Sequence, residues 1–60
     1  LNNYRVFYSI NKHNSDDINS SVIVNSVGDT YEIMKLGRKQ ITRKEGILSQ
    51  NISITKIALI

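Results

Sequence analysis

The sequence predicts an α+β domain of ββαβ order: a three-stranded, mainly antiparallel sheet with one helix packed on one face. Three observations carry this expectation. Tyr4–Asn11 alternates between apolar and mixed positions, Asp29 and Gly46 bracket a segment of helical period, and Asn51–Ile60 is crowded with β-branched residues. Sixty residues make room for one domain, spanning 1–60. A chain this short buries only about 60% of the surface its unfolded form exposes, so its core is thin.

In the first strand Tyr4, Val6, Tyr8 and Ile10 share one face, and Arg5, Phe7, Ser9 and Asn11 share the other. Lys12–Asn19 is a polar connection whose Asn, Ser and Asp side chains can supply turn hydrogen bonds. Ser20–Ser26 carries Val22, Ile23 and Val24 between turn-forming residues, which makes it the second arm of a hairpin.

The helix is expected over Thr30–Glu45. Asp29 and Glu32 have the spacing of a capping box, in which the Asp29 carboxylate accepts from an amide three residues on and Glu32 reaches back. Arg43 and Lys44 place cations in the last turn, and Gly46 suits the left-handed residue beyond it. Gly37 opposes the assignment, since glycine inside a helix costs about 1 kcal/mol relative to Ala. A strand turning at Gly37-Arg38 would have no use for both end signals, and they favour the helix. At 100° per residue, Thr30, Ile33, Met34, Gly37 and Ile41 form the core arc, with Tyr31 at its margin.

The last strand, Asn51–Ile60, sets Ile52, Ile54, Lys56, Ala58 and Ile60 on one face and Ser53, Thr55, Ile57 and Leu59 on the other. One helix covers one side of a sheet. Phe7, Ile57 and Leu59 are therefore expected on the bare side as an apolar patch, the mark of an interface. Without Cys, the chain has neither disulfides nor thiolate-bound zinc to support a small core. A homodimer is the expected support.

Little in the sequence points to catalysis. His13 is the lone imidazole, and Asp16 and Asp17 beside it belong to a polar turn rather than to a metal site. No base-orienting partner accompanies His13 for nucleophilic chemistry. Asp29 and Glu32 are assigned to the helix cap, which leaves Asp17 and Glu45 without a paired-carboxylate arrangement. Gly28, Gly37 and Gly46 are isolated and form no phosphate loop. The chain is thus expected to be no enzyme, with no cofactor and no metal. It has no apolar run of 18 residues to span a bilayer, and the absence of Cys fits a cytoplasmic protein.

Charge is more informative. Eight basic residues against five acidic ones give a net charge of +3. Lys35, Arg38, Lys39, Arg43 and Lys44 put five cations within ten residues, all on the expected helix. Lys35, Lys39 and Arg43 recur every four residues as a stripe opposite the core arc. The ordinary fate of such a run is a solvated helix face; the sharper one is a surface that tracks phosphates. Leu36 falls on the Arg43 side, away from the core arc, and suits a protein partner.

Two functions follow as expectations. The first is a small regulatory module that binds nucleic acid non-specifically through Lys35, Arg38, Lys39, Arg43 and Lys44. The alternative is a protein-binding regulator or inhibitor, acting on an acidic protein through Leu36, the sheet face around Phe7, Ile57 and Leu59, or a strand edge. The ββαβ order and size are similar to those of small phage-encoded regulators, a likeness of shape that carries no motif and no residues across.

Overall fold

The structure, a computed structural model, describes residues 1–11 and 16–60. Strand β1 runs Asn2–Ile10, β2 Ile18–Ser26, helix α1 Thr30–Glu45 and β3 Ile52–Leu59, with a 3₁₀ turn at Ser49–Asn51 leading into β3. The order is ββαβ, as the sequence predicts, in an open antiparallel sheet arranged β2-β1-β3. Of the polar connection, residues 12–15, His13 among them, lie outside the described residues, and Ile18 and Asn19 already belong to β2.

The alternation in β1 does what it predicts. Val6, Tyr8 and Ile10 are buried on one face with Val22 and Val24 of β2, Ile33 and Ile41 of α1, and Ile52 of β3. Gly37 is buried where the helix comes close to β1. A Cβ there would stand 3.1 Å from Val6 Cγ1, so the propensity cost of this glycine lets α1 settle onto β1.

Both helix ends lie where the sequence predicts, but the N-terminal one lacks the expected cap. Asp29 is the residue before the helix, and its carbonyl accepts the Ile33 amide at 2.9 Å. Its carboxylate makes no capping hydrogen bond, so the capping box does not form and Asp29 and Glu32 act as charges at the positive helix end. At the other end Gly46 takes the left-handed conformation at φ 69°, and its amide donates to Thr42 at 2.9 Å.

Helix α1 leans over β2. Gln40 Nε2 donates to the Ile23 carbonyl at 3.0 Å, and Lys44 Nζ donates to Ser20 Oγ at 3.2 Å and to the Ser21 carbonyl at 3.4 Å. Alternate residues of an antiparallel edge strand turn their backbone groups away from the sheet. Gln40 and Lys44, one turn apart, thus reach round to the outward carbonyls of β2. Three helix residues stand elsewhere than expected. Leu36 is half-buried against the core, whereas Thr30 and Tyr31, assigned to the core arc and its margin, are exposed.

Strand β3 departs furthest from the expected pattern. Phe7 pairs with Lys56 but Tyr8 pairs with Ile54, so Thr55 is an extra residue in a β-bulge. One extra residue moves every later side chain to the opposite face. Ile52 and Ile54 stand opposite Ile10 and Tyr8 on the helix side, and beyond the bulge Ile57 and Leu59 stand opposite Val6 and Tyr4 on that same side. Ile57 packs against the core. The expected patch of Phe7, Ile57 and Leu59 therefore does not exist as one surface: Phe7 is on the bare face and the other two are on the helix face. Among the described residues, no helix is long and apolar enough to cross a membrane.

Candidate nucleic-acid interface

Lys35, Lys39 and Arg43 are exposed, and the helical period sets them opposite the buried Ile33, Gly37 and Ile41. Four residues at 1.5 Å rise place successive cations about 6 Å apart along the axis. Glu32, one turn before Lys35, tempers the N-terminal end of the stripe.

Arg38 and Lys44 have other work. Arg38 Nη1 donates to the carbonyls of Ser49 at 3.1 Å and Ile52 at 3.0 Å, tying the 3₁₀ turn and the start of β3 to the helix. Lys44 closes the β2 edge, and its Nζ lies 5.7 Å from the centroid of the Tyr8 ring. The Tyr8 hydroxyl donates to Glu45 Oε2, so the polar tip of this buried ring meets a carboxylate on the last helical turn. The five cations thus divide into three that face solvent and two that hold the fold together. This division depends on which backbone carbonyls the fold brings near, and residue spacing does not reveal it.

The four expected protein-interface residues are not brought together. Phe7 is half-buried on the bare face with Lys56 Nζ 5.8 Å from its ring centroid, Leu36 and Ile57 pack against the core, and Leu59 is 64% exposed at the β3 rim. Two further surface features emerge from the fold. Tyr31 is 73% exposed and, with Met34, Lys35 and Arg38, lines a shallow hollow of about 280 Å³ on the β3 side of the helix. On the bare sheet face, Arg5 and Lys56 are the charged neighbours of Phe7. Strand alternation already sets Arg5 on the Phe7 face, whereas Lys56 joins it only because of the bulge.

Among the described residues, no three His, Cys, Asp or Glu side chains lie close enough to hold a metal ion. Comparison with protein-family models, curated proteins and solved structures finds no significant match for this chain.

Proposed function

We propose that the protein is a small non-enzymatic regulatory module that binds nucleic acid through Lys35, Lys39 and Arg43, with Arg38 and Lys44 adding charge from flanking positions. The observation that supports this most is the exposure of three cations at one-turn spacing on the helix face opposite the core. Such a row meets phosphates and carries no amide or aromatic side chain to read a base edge, so the affinity is modest and tolerant of sequence.

The test is electrophoretic retardation and anisotropy across a salt series. Three phosphate contacts give log K a slope against log salt of roughly −2 on single strands and nearly −3 on duplex. Changing Lys35, Lys39 and Arg43 together to Glu should abolish duplex binding and leave the fold intact, because none of the three packs in the core. Salt-insensitive duplex binding, or duplex binding that survives the triple change, overturns the proposal.

A second reading, binding to an acidic protein, is favoured by the hollow of Tyr31, Met34, Lys35 and Arg38, where an exposed aromatic ring adjoins two cations. Tyr31→Ala would weaken that interaction and leave nucleic-acid retardation unchanged.

A further inference from the structure

The layer opposite the helix has a chemistry of its own. The ladder pairs assign its rows: Asn3 with Asn25; Arg5 between Ile23 and Ala58; Phe7 between Ser21 and Lys56; Ser9 between Asn19 and Ser53. At the centre of this face, on the central strand, is an aromatic ring. Arg5 lies two residues along the same strand, about 7 Å away. Lys56 is directly across from the ring.

No carboxylate belongs to these rows. The five acidic residues are Asp16 and Asp17 before β2, Asp29 before α1, and Glu32 and Glu45 on α1. Apart from Ile23 and Ala58 beside Arg5, polar groups fill the remaining positions. Arg5 Nη1 donates to Ser21 Oγ at 3.3 Å, and Asn25 Nδ2 donates to Asn3 Oδ1 at 3.0 Å. This composition keeps the face wettable without a covering chain. It is also electrostatically one-sided.

We propose that this face is a platform for single-stranded nucleic acid, with one base stacked on Phe7 and its flanking phosphates met by Arg5 and Lys56. Stacking on an aromatic ring supports sequence-tolerant binding of unpaired bases, and cations beside the ring track the backbone. Lys56, now over the Phe7 ring, yields its place to a base and turns to a phosphate, since base stacking outweighs an exposed cation–π contact. A duplex keeps its bases stacked on one another and cannot use the ring. The inference rests on the nucleic-acid reading for its class of ligand, but on none of the helix residues.

The experiment uses fluorescein-labelled dT12 and rU12, and a 12-base-pair duplex, at 50 mM salt. Phe7→Leu keeps an apolar side chain and removes the ring face; Phe7→Tyr restores it. Phe7→Leu should weaken single-strand binding about 10-fold, with duplex binding unchanged and Phe7→Tyr close to the parent chain. In NMR titrations of the unaltered protein, dT12 should shift the Phe7 ring, Arg5 and Lys56 signals. Single-strand affinity that is unaffected by Phe7→Leu, or shifts confined to Lys35, Lys39 and Arg43, overturns the platform while leaving the helix proposal standing. If duplex but no single strand binds, the platform again fails alone. If neither is retained, both proposals fall.

Discussion

Strands β2 and β3 flank β1 on either side, both antiparallel to it, yet their free edges are managed in opposite ways. The β2 register is unbroken from Asn2↔Ser26 to Ile10↔Ile18, and its outward carbonyls at Ser21 and Ile23 are met by Lys44 and Gln40. It carries no charged residue of its own. Strand β3 has Lys56 and a bulge at Thr55, two devices that discourage an added strand without outside help. The helix lies over β2 and touches the start of β3 chiefly through Arg38. A cation on this helix can therefore be an edge guard, a staple or a free charge. Spacing alone does not tell these apart.

The comparison is broken most directly in the core. Ile41 is fully buried beneath the helix, and Ile41→Ala should cost about 2–5 kcal/mol. Domains of this kind have only about 5–15 kcal/mol in total, so the melting transition should fall steeply. Ile57, half-buried under the less covered strand, should cost about 1 kcal/mol as Ile57→Ala. Equal losses in thermal or urea unfolding would mean that the helix covers both strands alike.

Next in size is the contact that sets the helix height. Gly37→Val should destabilise by about 1–3 kcal/mol, because its side chain must enter space held by Val6. Combined with Val6→Ala, the loss should be smaller than the sum by more than about 0.5 kcal/mol. Strict additivity in a double-mutant cycle would place the close approach elsewhere.

The β2 edge itself comes third. Changing Gln40 and Lys44 together to Ala should cost about 1 kcal/mol, the net worth of exposed hydrogen bonds. The more telling readout is sedimentation, where the variant should associate with rising concentration through its opened, uncharged edge. A variant that stays monomeric at millimolar concentration would show that the edge needs no guard.

These differences also mark what could be read in advance. The even positions of β1 gave its buried face, and Asp29 and Gly46 located the helix ends, because local chemistry decides those features. The faces of β3 beyond Thr55 are not legible in the sequence, since a bulge in an antiparallel pair depends on the partner strand and leaves no mark in alternation alone. Leu36 lies outside the expected arc of Thr30, Ile33, Met34, Gly37 and Ile41 for a related reason: the tilt toward β2 widens the buried arc on one side. The stripe of Lys35, Lys39 and Arg43 was legible from spacing. The structural duties of Arg38 and Lys44 were not, being contacts to carbonyls and a hydroxyl 11 to 24 residues away in sequence.

The smallest effect lies where β2 passes into the helix. A capping aspartate replaced by Ala usually costs about 1 kcal/mol through a lost side-chain hydrogen bond. Asp29 makes no such bond, so its contribution is the attraction of a carboxylate to the positive helix end, about 0.3–1 kcal/mol at low salt. Two consequences separate the charge from the cap. Asp29→Asn, which keeps capping geometry but not charge, should lose as much as Asp29→Ala. Both losses should fade toward 1 M salt, where screening acts over about 3 Å. If Asn instead retains the stability of Asp, and salt leaves the Ala variant's deficit untouched, then the carboxylate caps the helix in solution, and the β2–α1 junction is held by a hydrogen bond rather than by its field.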